Sequence, residues 1–143
     1  MTTKDDKKRL INSRRKGADA ERELAKKLTE LGFPAERGQQ KRGGADSPDV
    51  ICESLGWLHW EVKLVSTCRI LSPAQVAEWE AQATRDCGTK HRVIAHRWNG
   101  ARQWWVQVWT SGQGPYWQTL YDFLANERQL RQEKASFILL NEA

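Results

Sequence analysis

The stretch Ser47-Pro48-Asp49-Val50-Ile51-Cys52-Glu53-Ser54-Leu55-Gly56-Trp57-Leu58-His59-Trp60-Glu61-Val62-Lys63 decides how the rest of the chain is read. Val50, Ile51 and Cys52 favour a short strand, Ser54 to Gly56 a turn, and Trp57 to Leu64 a second strand. Along the second strand Leu58, Trp60, Val62 and Leu64 alternate with Trp57, His59, Glu61 and Lys63. The apolar set must face a core, and the other set points the opposite way. Glu61 and Lys63 then share one face at the end of a strand, and Asp49, near the start of the preceding strand, is in a position to lie beside them. Two carboxylates and a lysine at one spot form an oxygen-donor site for a hard divalent cation, with an ammonium in reach of a substrate phosphate. Taken alone, Glu61 and Lys63 read first as a same-face ion pair on an edge strand.

The 143 residues suit one domain with a substantial core. No apolar run approaches the ~18 residues a membrane helix needs, and no secretory pattern opens the chain. The expectation is a soluble, cytoplasmic protein with no membrane partner. Cys52, Cys68 and Cys87 lack zinc-type spacing and read as plain thiols in a reducing compartment. The net charge of +5 is uneven: residues 1–16 hold seven bases against Asp5 and Asp6, and the remainder balances at sixteen of each sign. Residues 1–15 therefore read as a flexible basic arm on a single domain of residues 16–143. Such an arm suits a polyanion, through phosphate contacts that weaken as salt rises. A solvated leader would have the same composition.

A helical period runs from about Ala18 to Leu31, with Leu24, Ala25, Leu28 and Leu31 on one face. Gly32-Phe33-Pro34 ends it. Glu21 continues the apolar stripe one turn earlier, whereas Glu23 groups with Lys27 and Glu30 on the wet face. A carboxylate on a core-facing stripe is costly unless paired or bound to a metal. The other reading of Glu21 is a first-turn acid that favours the helix dipole. Phe33 to Arg37 reads as a short strand, and Gly38 to Asp46 as a basic, Gly-rich loop carrying Lys41 and Arg42. The loop lacks Walker spacing, so no nucleotide cofactor is expected.

Beyond Lys63, Ser72 and Pro73 open a second helix that runs to about Asp86 and closes at Gly88. Gln75 and Gln82 stand seven residues apart on it and read either as exposed or as reaching a substrate. His91 to Trp98 and Arg102 to Trp109 read as a Trp-rich hairpin around Asn99-Gly100. Trp104, Val106 and Val108 face one side, and Trp105, Gln107 and Trp109 the other. Apolar weight on both faces suits a central strand or a face covered by a second subunit, with base stacking as the functional alternative. His59, His91 and His96 show no ligand spacing and read as strand residues. Tyr116 to about Arg131 reads as a final helix, and Phe137 to Leu140 as a short strand or tail.

The order of these elements resembles the αβββαβ plan of the PD-(D/E)XK (restriction-endonuclease-like) nucleases: an α/β fold with a central mixed sheet flanked by helices, here with an added Trp-rich hairpin and C-terminal helix. Within that superfamily the chain resembles the archaeal-type Holliday junction resolvases, and more closely their bacteriophage and prophage relatives. The residues that carry the likeness are Lys16-Gly17-Ala18-Asp19-Ala20-Glu21-Arg22-Glu23-Leu24, Leu31-Gly32-Phe33 with Arg37, Pro48-Asp49-Val50-Ile51 and Glu61-Val62-Lys63, all between about residues 14 and 109. The resemblance implies catalytic roles for Glu21, Asp49, Glu61 and Lys63. It implies Mg²⁺, with Mn²⁺ as a substitute, held by Asp49, Glu61, the Val62 carbonyl and Glu21. Arg22, Arg37, Lys41 and Arg42, with Arg14, Arg15 and Lys16 of the arm, would hold DNA. It further implies a homodimer that cuts a four-way junction symmetrically. The family's loop serine has Ser47 as its nearest counterpart. The competing readings are a nuclease of this fold acting on flap, branched or duplex DNA, and a DNA-binding module without cleavage.

Overall fold

The computed structural model describes residues 3–38, 49–108 and 115–125, leaving aside the side chains of residues 8–14. The expected loop with Lys41, Arg42 and Ser47, the side chain of Arg14, Trp109 and everything beyond Ala125 lie outside the described residues.

The first helix, α1, spans Lys4–Glu30. It starts well before the apolar period, within the stretch read as a flexible arm. The reason is local: Thr3 and Asp6 form a reciprocal capping box, with Thr3 Oγ1 accepting from the Asp6 N–H at 3.1 Å. Lys and Arg then carry the helix forward without a proline. It stops where Gly32 adopts a φ of 97°, and the Phe33 N–H reaches back to the Leu28 carbonyl at 2.9 Å.

Strands β1 (Glu36–Arg37) and β2 (Val50–Ile51) pair antiparallel with each other, Arg37 opposite Val50. The two strands expected on either side of the Ser54–Gly56 turn therefore do not pair in one sheet. After β2 comes a 3-10 turn at Glu53–Leu55, and the following strand β3 (Leu58–Val65) belongs to a separate four-stranded sheet. Helix α2 (Pro73–Asp86) leads to β4 (His91–Trp98), which pairs parallel to β3 with Leu58 opposite His91 and Lys63 opposite His96. Ser72 precedes α2 as its cap residue without a side-chain bond, and Pro73 takes the first helical position. β5 (Trp105–Val108) and β6 (Tyr116–Thr119) add antiparallel, giving a mixed sheet of order β3-β4-β5-β6.

Residues Tyr116–Thr119, read as the start of the last helix, are thus a strand. Tyr, Trp and Thr favour the pleated surface, and β5 offers a free edge to pair with. The helix α3 (Leu120–Ala125) begins only after Thr119, whose Oγ1 accepts from the Asp122 N–H. β5 opens three residues later than expected, and its place between β4 and β6 accounts for the apolar weight on both its faces.

The sheet separates two apolar layers. Ala20, Leu24, Ala25 and Leu28 of α1 and Leu120, Phe123 and Leu124 of α3 pack on Trp60, Val93, Ala95, Val106 and Val108. On the other face Trp79 and Ala83 of α2 meet Ile94, with Val65 and Trp117 alongside. Among the described residues no helix is long and apolar enough to cross a membrane. Because Leu24 is fully buried in the layer that sets the position of Glu21, Leu24→Ala should cost about 2–5 kcal/mol in urea unfolding. Lys27→Ala, on the exposed side, should stay within about 0.5 kcal/mol.

Candidate active site

β2 and β3 meet at a fork. The Asp49 N–H donates to the Trp60 carbonyl at 3.3 Å, as a neighbouring strand would. One step on, the backbones part, and the Val62 N–H is met instead by the Asp49 carboxylate, with Oδ2 at 2.8 Å. The side chain thus fills the place of the missing backbone partner, because a buried N–H must be satisfied. Across the fork, Gly38 N–H donates to the Asp49 carbonyl at 2.9 Å, which ties β1 to the same point.

Burial pushes the Asp49 carboxyl from 3.8 up to about 7, against the Val62 hydrogen bond that favours its charged form. The nearby charges of Glu61 and Glu21 raise it further, and Lys63 opposes them. Glu21, Glu61 and Lys63, the other residues singled out in the sequence, therefore all sit within electrostatic reach of Asp49.

Each of the other three has its own partner. Glu21 is buried on α1, and its Oε2 accepts from Arg37 Nε at 2.6 Å. This resolves the two readings of Glu21: it lies on the inner stripe and is paired. Glu61 is buried on β3, where its Oε1 lies 2.9 Å from His59 Nε2. Glu61 has only acceptors as a carboxylate, so Nε2 carries the hydrogen. Lys63 Nζ donates to Gln82 Oε1 of α2 at 2.5 Å. His59 was read only as a strand residue, although its alternation with Glu61 already put both on one face. Gln82 reaches Lys63, whereas Gln75 bonds only the exposed Glu78.

His96 supports the site from below. Its Nδ1 lies 2.9 Å from the Lys63 carbonyl, and its Nε2 accepts from the Arg69 N–H at 3.1 Å. That pattern requires a neutral ring with the hydrogen on Nδ1, and burial does push the imidazole below its ordinary value.

The DNA-contact residues are spread more widely. Arg22 pairs with Asp19 on the exposed side of α1, and Arg37 lies on Glu21. Arg15 and Lys16 are exposed. Lys16 lines a shallow groove of about 160 Å³ with Asp19, Leu64, Ser66 and Asn99, beside the end of β3. A larger groove of about 690 Å³, with Lys26, Lys27, Arg97 and Trp104 among its lining, does not include Glu21, Asp49 or Glu61.

Glu21, Asp49 and Glu61 supply hard oxygen donors of the kind Mg²⁺ takes, and their mutual repulsion at Asp49 is the kind a cation relieves. In chemistry the set fits a divalent ion. In position, no group of three His, Cys, Asp or Glu converges to hold a metal among the described residues. Each carboxylate is turned onto its protein partner instead.

A mixed sheet between helices, with two acids and a lysine at the fork of β2 and β3, defines a restriction-endonuclease-like nuclease fold. Residues 12–106 match the family described as archaeal Holliday junction resolvase (Hjc), and the chain belongs to that family. Comparison with curated proteins returned no match.

Between about pH 4 and 7 the folded protein retains a proton on Asp49 that the unfolded chain gives up. This group therefore favours folding in acid, and its contribution is lost as pH rises through about 7. Asp49→Asn keeps an acceptor for Val62 without the charge. In EDTA, the melting temperature of Asp49→Asn relative to the unchanged protein should be higher at pH 8 than at pH 5. Equal differences at both pH values would contradict the buried-charge account.

Proposed function

We propose that the chain is a Mg²⁺-dependent, structure-selective endonuclease that resolves four-way DNA junctions by paired phosphodiester hydrolysis, acting as a homodimer. The observation that carries this is the Asp49 carboxyl at the fork, held on the Val62 N–H and raised first by burial, then by the nearby Glu61 and Glu21, with Lys63 opposing. A binding-only domain has no use for a buried acid with two further acids and a lysine in electrostatic reach. Family membership supports the branched-DNA substrate.

In this reading Asp49, Glu61 and the Val62 carbonyl would hold the ion, with Glu21 completing the site directly or through water. Mn²⁺ would substitute. When bound, the ion supplies Lewis acidity for a water and for the charge that develops at phosphorus. Asp49 remains fixed by the Val62 N–H, and His59 aims Glu61. Lys63 meets the scissile phosphate and orients the attacking water. Arg37 is held by Glu21 near the site and, with Arg22, Lys41 and Arg42, contacts phosphates, which position DNA without reading its sequence. Arg14, Arg15 and Lys16 contact flanking duplex. No nucleotide cofactor takes part.

The test uses labelled four-way junction, flap, linear duplex and single-stranded DNA, each with Mg²⁺ and with EDTA. Paired symmetric nicks confined to the junction and lost in EDTA are expected. Equal cleavage of linear duplex would instead favour a nuclease of this fold with another substrate. Asp49→Asn, Glu61→Gln and Lys63→Met should each slow junction cleavage by about 100-fold or more, and undiminished cleavage by any of them removes that residue from the site. Arg37→Ala should weaken junction binding in a gel-shift titration, with a wild-type circular dichroism spectrum.

A further inference from the structure

Lys63 is held at two points by elements outside its own strand. Its ammonium donates to Gln82 Oε1 at 2.5 Å, and its carbonyl lies 2.9 Å from His96 Nδ1. An ammonium has only donors, so Gln82 must present its oxygen.

The two contacts share a foundation. Gln82 follows Trp79 by three residues on α2, so the two side chains are neighbours on the helix surface. The Trp79 ring packs edge-on against His96, with centroids 4.8 Å apart. His96 is further enclosed by Trp98 at 5.3 Å and Trp117 at 6.1 Å. One surface of α2 therefore addresses both ends of Lys63: Trp79 through His96 to the backbone, and Gln82 directly to the ammonium.

A lysine has many rotamers on a flexible four-carbon stem, so a fixed backbone alone does not fix its charge. A side-chain oxygen at the far end does. A neutral amide is suited to the task, because it holds the ammonium without cancelling the positive charge that a phosphate would meet.

We propose that Gln82 is a positioning residue for Lys63: its Oε1 confines the ammonium to the place from which Lys63 acts on the scissile phosphate. This rests on the nuclease reading above, and the test separates the two. Methionine matches glutamine in length and helix propensity but offers no comparable acceptor, so Gln82→Met should leave α2 and the melting temperature near wild type. Its cleavage rate at saturating junction should fall about tenfold, as expected for a misplaced catalytic group, while the junction concentration giving half-maximal rate stays unchanged. Independently, in the metal-free protein, Lys63→Met should shift the ¹H–¹⁵N signal of the Gln82 side-chain amide.

An undiminished saturating rate in Gln82→Met overturns the proposal. So does a loss confined to the half-saturating concentration, which would make Gln82 a DNA contact, and so does an amide signal unaffected by Lys63→Met. If the unchanged protein cleaves none of the DNAs, the nuclease reading fails, and the amide signal alone decides the Lys63–Gln82 contact.

Discussion

The hydrogen bond from the Val62 N–H to the Asp49 carboxylate, 2.8 Å long, is the constraint on which the site depends. A strand that loses its neighbour leaves buried N–H groups without partners. Here the neighbour's side chain takes over from its backbone, so the fork can open without an orphaned donor. The consequence is electrostatic. A carboxylate drawn into the protein to meet a backbone N–H is desolvated by burial and also lies near Glu61 and Glu21, and its carboxyl rises to about 7. The Val62 bond and Lys63 do not fully offset the burial and the neighbouring acids.

The remaining groups are held in a similar way, each by a neighbour set by the packing. Arg37 brings β1 against Glu21 of α1, His59 and Glu61 are companions on one face of β3, and Gln82 joins α2 to Lys63. The two apolar layers fix these distances: α1 and α3 on one side of the sheet, α2 on the other. Glu21 and Gln82 thus approach β3 from elements on opposite faces. The acids and the lysine are distant in sequence or alternate in register, and they come together only because both layers close on the same strand.

Much of this was legible in the chain, and the parts that were not have physical reasons. The alternation from Trp57 to Leu64 correctly gave the strand and its two faces, because a period of two is written directly in side-chain polarity. The stripe of Leu24, Ala25 and Leu28 correctly put Glu21 rather than Glu23 on the inner face. The pairing of β2 is not legible, since a turn-like Ser54 to Gly56 looks the same whether it joins paired strands or forms a 3-10 turn between strands of different sheets. Tyr116–Thr119 does not stand out as β6 in sequence, because the helical period of Leu120, Phe123 and Leu124 continues backward across it. The start of α1 was missed because the charged first turns carry no apolar period and are held by the Thr3–Asp6 cap. Gln82 is hidden for another reason: a hydrogen bond between side chains nineteen residues apart leaves no periodicity in sequence, whereas His59, two residues from Glu61, shares its face by simple alternation.

The claim that the fork is a cation site is tested most directly by anomalous diffraction from crystals soaked in Mn²⁺. The account predicts a peak bonded to carboxylate oxygens of Asp49 and Glu61, at about 2.1 Å as for a small hard cation, and loss of that peak in Asp49→Asn. A peak elsewhere, or none at the fork in crystals of protein that cleaves DNA with Mn²⁺, would contradict it.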